Sequence, residues 1–304
     1  MTNCDIIINN AIELGCKVIK NEPLKNHTTF KVGGECNALI HINNIENCST
    51  LIRLCNENQV PYIVIGKGSN LIVDDNGYNG IVLLMGNDFS NITVLDDTTI
   101  ICDAGTSLAS ACIYAYENGL TGLEFAWGIP GTIGGAVYMN AGAYGGEIAD
   151  IIVSAEYLDS TGRLLSINKN KMQLSYRYSI FSDNDYVITK AIIKLKKGDK
   201  TEVKAKMDEL MQRRKDKQPL DFPSAGSTFK RPEGSFASLL IDQCGLKGLS
   251  IGGAQVSTKH SGFVINTGNA TSRDILSLVE KVKEIVKEKT GYVLECEPKI
   301  ISNK

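Results

Sequence analysis

The sequence predicts an α+β fold, and three observations support this prediction. Up to about residue 85, short β-like runs at Ala38–Ile42, Tyr62–Ile65 and Ile81–Met85 alternate with a helical stretch near Glu46–Glu57. Near the C-terminus, residues 272–289 have the apolar spacing of a long amphipathic helix. The chain has 304 residues, 43% of them hydrophobic, which is the length of roughly two domains and enough apolar side chain to fill their cores.

The central part of the chain continues this mixture of strands and helices. A β-like run at Thr99–Asp103 precedes a helix at Ser107–Asn118, and turn residues at Asp159–Gly162 predict a hairpin. The last strand of this part is Val187–Leu195. We expect the lysine-rich segment 196–200 that follows it to be a solvated turn.

A helix and two prolines separate the central part from the C-terminal part. In Thr201–Lys217 the apolar residues fit one helical face, and Pro219 and Pro223 end that helix and mark a boundary. The last part then contains a helix near Phe236–Gln243 and a β-like run at Gly262–Asn266.

The amphipathic helix at Ser272–Lys289 carries its own start and stop signals. Thr271 and Asp274 have the spacing of a capping box, and Gly291 is suited to end the helix. We interpret this helix as scaffold.

Composition and charge exclude several classes of protein. A net charge of −2 gives no overall attraction for nucleic acid. No apolar run approaches the length of about 18 residues that a membrane helix needs. No basic residue precedes Lys17, which argues against a signal peptide, so we expect a cytoplasmic protein with no membrane partner. Nine scattered cysteines without a C-x-x-C pair predict reduced, mostly buried thiols, and three histidines without ligand spacing predict no metal site.

The most informative segment is the block Gly128 to Glu147, which is rich in glycine and alanine and contains one proline. A backbone with so few side chains can bring its N–H groups close to a flat or anionic ligand. A cofactor cradle is one interpretation, and a tight packing crossover in an ordinary core is the other.

A second glycine-rich loop, Gly66-Lys67-Gly68-Ser69-Asn70, directly follows a predicted buried strand. Successive N–H groups in such a loop can form a concave nest for a diphosphate, and Lys67 adds a positive charge. The loop is not a P-loop, because a glycine separates Lys67 from Ser69. Neither glycine-rich segment has the Gly-x-Gly-x-x-Gly pattern of a Rossmann site.

Six segments in order along the chain carry a family resemblance. They are Asn26-His27-Thr28-Thr29-Phe30 with Gly33-Gly34, the loop Gly66–Asp74, the block Gly128–Glu147, Tyr176-Arg177-Tyr178-Ser179, Ser224-Ala225-Gly226-Ser227-Thr228-Phe229-Lys230, and Leu294-Glu295-Cys296-Glu297. Together they resemble the UDP-N-acetylenolpyruvoylglucosamine reductases, flavoenzymes that make UDP-N-acetylmuramate for bacterial cell walls. The resemblance covers nearly the whole chain.

The resemblance implies two FAD-binding subdomains of the vanillyl-alcohol oxidase (PCMH) type, followed by an α+β substrate-binding domain. The expected boundaries are residues 1–85 with 293–304 for the first subdomain, 86–200 for the second, 201–218 for a helix and linker, and 219–292 for the substrate-binding domain. The cofactors implied are non-covalent FAD and NADPH as hydride donor, and the protein is expected to be a monomer.

The resemblance also implies a catalytic set of Arg177, Ser227 and Glu297. Arg177 would hold and polarise the substrate carboxylate, for which a planar, permanently charged guanidinium is well suited. Ser227 would be the general acid, which requires tight geometry and nearby cations because a hydroxyl is a poor acid. Glu297 would act with Arg177. Without the resemblance, we would interpret Arg177 as a surface residue in a strand and Ser227 as part of an ordinary loop.

The remaining expected contacts also come from the resemblance. The residues expected to bind the cofactor are Gly66, Lys67, Gly68, Ser69, Asn70, Gly131, Thr132, Gly134, Gly135, Asn140, Ala141 and Gly142. Those expected to bind UDP-N-acetylglucosamine enolpyruvate are Tyr176, Lys217, Lys230, Arg231 and His260. Arg231 and His260 depart from one branch of the family, and the chain is too short between motifs for that branch's substrate-capping loop. Pro298 departs from the usual β-branched residue, which puts local strand pairing in doubt.

Two other functions remain open from the sequence. An FAD-dependent sugar or alcohol oxidase on the same fold would be reoxidised by oxygen and would ignore UDP-sugars. A non-catalytic flavin-binding protein would hold the ligand without turnover.

Overall fold

The computed structural model describes residues 2–303, and these contain both α-helices and largely antiparallel strands, in agreement with the α+β prediction. The α-helices are α1 (Asn3–Glu13), α2 (Ile45–Glu57), α3 (Leu108–Glu117), α4 (Ile133–Tyr138), α5 (Ile148–Ile151), α6 (Lys200–Lys217), α7 (Ala237–Gln243) and α8 (Ser272–Thr290). The strands are β1 (Val18–Lys20), β2 (Cys36–His41), β3 (Tyr62–Ile65), β4 (Leu71–Val73), β5 (Tyr78–Leu84), β6 (Ile92–Val94), β7 (Thr99–Asp103), β8 (Leu120–Thr121), β9 (Gly142–Ala143), β10 (Gly146–Glu147), β11 (Ile152–Leu158), β12 (Leu164–Asn168), β13 (Val187–Lys194), β14 (Lys196–Lys197), β15 (Ser250–Ile251), β16 (Ala254–Val256), β17 (Val264–Asn266) and β18 (Lys299–Ile301).

The chain forms two compact units, each built from segments that are distant in sequence. Among the described residues, the first unit contains 2–20, 37–67 and 80–212, and the second contains 21–36, 68–79 and 213–303. These units group the segments differently from the boundaries expected from the resemblance, which remain a prediction. Within residues 2–303, no helix is both long and apolar enough to cross a membrane.

The first unit is organised around two sheets. One has the strand order β1-β2-β5-β3, with β1 antiparallel to β2 and β3 parallel to β5. The other is antiparallel with the order β12-β11-β13-β7-β6. Both contribute to one apolar core, which α1, α2, α3 and α4 also line. The predicted hairpin joins β11 to β12, where Leu158 pairs with Leu164 and Gly162 has a left-handed φ of 80°.

Three parts of the first unit differ from the sequence-based expectations. The segment after β13 is not only a solvated turn, because β14 pairs with β8, although both lysines are exposed. The glycine-rich block contains the short helix α4, whose two glycines made a helix hard to recognise. Helix α1 was not predicted, because consecutive isoleucines blur its period; Ile7, Ile8 and Ala11 form its buried face.

The second unit has its own core, formed by α7, α8 and the antiparallel sheet β15-β16-β17. The predicted signals of α8 are confirmed: the Thr271 side chain caps the helix in a capping box with Asp274, and Gly291 ends it with φ 77°. Asp75 adds a further cap, because its carboxylate accepts bonds from the Ser272 backbone N–H at 3.0 Å and hydroxyl at 2.8 Å.

The segment 21–36 and the strand pair β4 and β18 complete the second unit. Strand β18 runs parallel to β4, with Lys299 paired to Leu71 and Ile301 to Val73. Pro298 lies immediately before this ladder and therefore does not interrupt it, which removes the doubt about local pairing. Segment 21–36 runs beside the residues that precede and follow β4, through bonds from Thr29 N–H to the Gly68 carbonyl and from Gly34 N–H to the Asp74 carbonyl.

Gly68 and Gly291 provide a matched test of how tightly the loop before β4 is packed. Both are left-handed, with φ 59° and 77°, but an added Cβ would overlap the His27 carbonyl at Gly68 and meet nothing within 4 Å at Gly291. We expect Gly291→Ala to lower the free energy of unfolding by about 1–2 kcal/mol from backbone strain alone, and Gly68→Ala by about 3 kcal/mol or more because overpacking adds to the strain. Urea unfolding of the purified variants without added ligand measures both losses. Equal losses would contradict the close approach at Gly68.

Candidate active site

The loop between β3 and β4 is shaped by close contacts with the rest of the protein. In the first unit, a Cβ on Gly66 would lie 2.9 Å from Cγ2 of Thr132. In the second unit, Gly68 lies against the His27 carbonyl. Lys67 between them is exposed. Both glycines therefore have a packing reason to be glycine, and the charge of Lys67 faces solvent.

The direction of the peptide groups in this loop suits an anion. The Gly68 carbonyl accepts a bond from Thr29 N–H at 3.2 Å, and the Asn70 carbonyl accepts one from Lys299 N–H at 2.9 Å. In a planar trans peptide the C=O and N–H point in opposite directions. The Ser69 N–H therefore points away from Thr29, as a donor for an anionic group would need to.

In the first unit, most of the glycine-rich block is fitted to the protein itself. The N–H groups of Gly131 and Gly134 donate to the carbonyls of Ile129 and Ala104 at 2.9 and 2.8 Å. A Cβ on Gly134 would lie 2.8 Å from that of Ala104. A Cβ on Gly142 would lie 2.8 Å from that of Glu147. The tight-packing interpretation thus accounts for Gly134 and Gly142.

Gly135 is different, because it is exposed and an added Cβ would meet only the Thr132 hydroxyl, at 3.6 Å. Thr132 is buried and caps α4 by accepting from the Gly135 N–H at 3.4 Å. The backbone at Gly135 is therefore a bare surface that a flat group can approach. The cofactor interpretation survives at this position of the block.

The end of the block is tied to the turn that carries Arg177. Asn140 is fully buried with φ 40°; its amide group donates to the Ser175 carbonyl at 3.0 Å and its oxygen accepts from Ala149 N–H at 2.9 Å. Ala141 donates its N–H to the Ala136 carbonyl at the end of α4. The side chain of Asn140 therefore organises the protein rather than facing outward.

Arg177 lies in a tight turn and not in the strand that its surroundings suggested. Ser175 and Tyr178 exchange both backbone bonds at 3.1 Å, and Arg177 has φ 55°, a conformation uncommon for residues other than glycine. Its guanidinium lies over the Tyr176 ring at 5.0 Å and donates to the Gly142 carbonyl at 3.1 Å. The turn, the ring and the glycine block together hold the charge of a half-buried arginine in one place.

In the second unit, Ser227 and Glu297 lie on neighbouring segments. The Glu297 N–H donates to the carbonyl of Thr228 at 2.9 Å, and Phe229 and Cys296 form an antiparallel bridge. Thr228 is itself held by a bond from its N–H to the Gly262 carbonyl at 2.8 Å and by one from Val264 N–H to its hydroxyl at 2.9 Å. This pairing places the backbone of the serine loop beside that of the glutamate segment.

The segment of Glu297 also contacts the loop before β4. The side-chain amide of Asn70 donates to the Glu297 carbonyl at 3.5 Å. Burial raises the pKa of the neighbouring Cys296 thiol to about 11, so this thiol is protonated at neutral pH. The expected glutamate thus lies beside the expected cofactor loop, whereas Arg177 is a member of the other compact unit.

The expected substrate contacts of the second unit fall into two groups. Lys230 pairs with the exposed carboxylate of Glu295 at 3.2 Å, and the Arg231 guanidinium lies over the Phe236 ring at 4.8 Å. His260 accepts a bond at Nδ1 from Gly262 N–H at 3.2 Å, and burial lowers its pKa, so the ring is neutral at pH 7 with Nε2–H as donor.

His260 and Phe236 line the same cleft of about 450 Å³, together with Leu239, Lys247 and Lys259. The positive charge of Lys217, at the end of α6, also lowers the pKa of His260. The structure therefore brings His260, Lys217 and Arg231 to one region. Sequence reasoning missed Phe236, Lys247 and Lys259, because an exposed face of a short helix and scattered lysines carry no distinctive pattern.

Elsewhere, all nine cysteines are free thiols, and seven of them are buried, as predicted. Burial raises the pKa of Cys48 to about 12, for example. Among residues 2–303, no cluster of three or more His, Cys, Asp or Glu side chains could hold a metal ion.

Comparison with known proteins identifies the family. A sequence model for an FAD binding domain matches residues 36–168, and one for the UDP-N-acetylenolpyruvoylglucosamine reductase C-terminal domain matches residues 218–301. Reductases of that name from Caldanaerobacter subterraneus and Clostridium novyi are 47% and 48% identical, covering 95% and 97% of this chain and the same shares of their own lengths. The crystal structure of the Thermus caldophilus enzyme is 34% identical with a TM-score of 0.79, covering 94% of this chain and 99% of that chain. The chain therefore belongs to the UDP-N-acetylenolpyruvoylglucosamine reductase family.

Proposed function

We propose that this protein reduces the enolpyruvyl group of UDP-N-acetylenolpyruvoylglucosamine with NADPH, through bound FAD, to give UDP-N-acetylmuramate for peptidoglycan synthesis. The observation that carries the proposal is the pairing of the Ser227 and Glu297 segments beside the loop before β4, in a chain of this family. An oxidase or a non-catalytic flavin protein would not need a proton donor and a glutamate at this place.

The residues present fit a non-covalent FAD. Ser69 N–H and Lys67 supply a donor and a charge for its diphosphate, and Gly135 offers bare backbone for a flat group. The remaining expected cofactor residues shape these surfaces through their packing and backbone bonds: Gly66, Gly68, Gly131, Thr132, Gly134, Asn140, Ala141 and Gly142. Asn70 joins the loop to Glu297. When bound, FAD accepts a hydride from NADPH and supplies one to the terminal carbon of the enolpyruvyl double bond.

Arg177 and Glu297 act on the part of the substrate where negative charge develops. Hydride addition to the terminal carbon builds negative charge on the adjacent carbon and on the carboxylate attached to it. The Arg177 guanidinium holds and polarises that carboxylate, and its cation–π contact with Tyr176 limits how far it can move. Glu297 acts with Arg177 in orienting the same group.

Ser227 completes the addition by donating its hydroxyl proton to the carbon that carries the negative charge. The net change is one hydride and one proton added across the double bond. The Thr228 contacts fix the backbone on one side of Ser227, which supports its role as a positioned proton donor. Lys230 is the nearest cation along the chain to stabilise the resulting alkoxide.

The diphosphate and sugar are held by the cations and donors of the second unit. Lys217 and Arg231 bring positive charge, and the neutral His260 brings an N–H donor to the cleft that Phe236 and Leu239 line. Tyr176, in the turn of Arg177, provides a further contact with the substrate.

The same proposal covers domain roles and location. FAD is bound by two subdomains, residues 1–85 with 293–304 and residues 86–200. Residues 201–218 link them to the substrate-binding domain, residues 219–292. The pairing of β18 with β4 supports the return of the C-terminal segment to the first subdomain. The enzyme acts in the cytoplasm as a monomer, without a nucleic-acid or membrane partner, and supports cell shape and division.

Ser227→Ala tests the assignment of the general acid. We expect flavin reduction by NADPH to stay within about twofold of wild type, because it needs no proton from Ser227. Reoxidation of reduced flavin by the enolpyruvyl sugar should fall about 100-fold or more, as for loss of a general acid. Anaerobic stopped-flow absorbance measures the two half-reactions separately. The control is Ser250→Ala at an exposed serine of β15, and an unchanged second half-reaction in Ser227→Ala would remove Ser227 from the mechanism.

Arg177→Lys tests the need for a planar guanidinium. A lysine keeps the charge but loses paired hydrogen bonding and stacking on Tyr176, so we expect kcat/KM for the enolpyruvyl sugar to fall about 100-fold. The KM for NADPH should not change. Arg53→Lys, at an exposed ion pair of α2, is the matched control. Steady-state kinetics with each substrate varied would contradict the role if both substitutions gave the same small effect.

A further inference from the structure

The motif His27-Thr28-Thr29-Phe30 lies between two functional loops of the second unit. On one side, Thr29 N–H donates to the Gly68 carbonyl at 3.2 Å, in the loop before β4. On the other side, the Thr29 hydroxyl donates to the Ser224 carbonyl at 2.6 Å, three residues before Ser227. One residue therefore contacts both the proposed cofactor loop and the proposed proton-donor loop.

Neighbouring contacts keep this motif in place. The His27 ring bonds Glu22 at 2.8 Å through Nε2, and the close approach of Gly68 leaves no space beside the His27 carbonyl. The Phe30 carbonyl accepts a bond from the side-chain amide of Asn266 at 3.1 Å, and Phe30 itself is fully buried. Thr29 thus extends its hydroxyl from a backbone that has little freedom to move.

The Ser227 loop, in contrast, has a point of freedom. Downstream, Thr228 is held by its bonds to Gly262 and Val264. Upstream, Gly226 has φ 76° and nothing within 4 Å of the position a Cβ would take. Two bonds fix the loop on the far side of this glycine: the Asn266 N–H donates to the Pro223 carbonyl at 2.9 Å, and the Thr29 hydroxyl donates to the Ser224 carbonyl. The Thr29 bond is the nearer of the two to Ser227.

We propose that Thr29 is a positioning residue for Ser227, which it holds at a set place relative to the cofactor loop through the Ser224 carbonyl. This inference rests on the proposed function, because it concerns the proton that Ser227 donates. Proton transfer requires hydrogen-bond distance and alignment, and a small displacement of the donor slows it strongly. Thr29 itself touches neither substrate nor cofactor in this role.

Thr28 offers a matched control for Thr29. It is the adjacent residue, it is buried, and its hydroxyl donates to the Val32 carbonyl at 3.1 Å within the same segment. Thr28→Val and Thr29→Val each remove one hydroxyl and keep a β-branched side chain. Only Thr29→Val removes a bond to the Ser227 loop.

The experiment compares Thr29→Val, Thr29→Ser and Thr28→Val holoenzymes in anaerobic stopped-flow. In Thr29→Val we expect flavin reduction by NADPH within about twofold of wild type and reoxidation by the enolpyruvyl sugar about 10-fold slower or more. Thr29→Ser keeps the hydroxyl, so its rate of reoxidation by the enolpyruvyl sugar should be within about threefold of wild type. Thr28→Val should slow neither half-reaction selectively. Should Thr29→Val fail to hold flavin, Thr29→Ala serves as the second variant without a hydroxyl.

Two further measurements separate positioning from a general structural role. Amide hydrogen exchange in residues 224–227 should accelerate in Thr29→Val and not in Thr28→Val, because the upstream bond nearest to Ser227 is lost. In a Ser227→Ala background, Thr29→Val should add no further slowing of reoxidation, since the two residues act through the same proton.

The outcomes distinguish this inference from the proposed function. If the wild-type enzyme is not reoxidised by the enolpyruvyl sugar, the proposed function fails. If it is, but Thr29→Val slows both half-reactions equally, shows no effect, is not rescued by serine, or adds to Ser227→Ala, then Thr29 does not position Ser227.

Discussion

The parallel pairing of β18 with β4 is the constraint on which the arrangement of the second unit depends. It joins residues more than two hundred positions apart, so the chain closes a very long loop before this contact stabilises the fold. Just before β18 lies Glu297, beside Asn70 of the loop that precedes β4. Just after β4 lies Asp75, which caps α8. One short ladder thus sets the position of the glutamate, the loop before β4 and the longest helix of the unit.

The glycines of the two loops do different things, although the sequence does not distinguish them. Gly68 and Gly134 are glycine because protein atoms occupy the place of a side chain, at the His27 carbonyl and at Ala104. Gly135 is glycine with open space beside it. The packing interpretation therefore applies to Gly68 and Gly134, and the cofactor interpretation stays a prediction at Gly135. A ligand is supported where the backbone is bare and exposed, and packing explains the rest.

Features with local signals could be predicted from the sequence, and features made by distant contacts could not. The capping box and glycine stop of α8, the hairpin at Gly162 and the strand Tyr62–Ile65 are encoded within a few residues, and the structure agrees with each. The turn of Arg177 escaped recognition because its conformation depends on Asn140, far along the chain. The bond of the Thr29 hydroxyl could not be predicted either, because its partner Ser224 is 195 residues away. Catalytic candidates came from family resemblance, and only the three-dimensional contacts indicate what holds them.

The proposed reaction passes a hydride from NADPH to an enolpyruvyl sugar through a bound flavin. The most direct test is an anaerobic visible absorption spectrum of the purified protein, recorded before NADPH, after it, and after addition of UDP-N-acetylenolpyruvoylglucosamine. We expect a bound-flavin spectrum that bleaches with NADPH and returns with the sugar. A flavin that stays reduced until oxygen is admitted, or the absence of flavin after reconstitution with FAD, would contradict it.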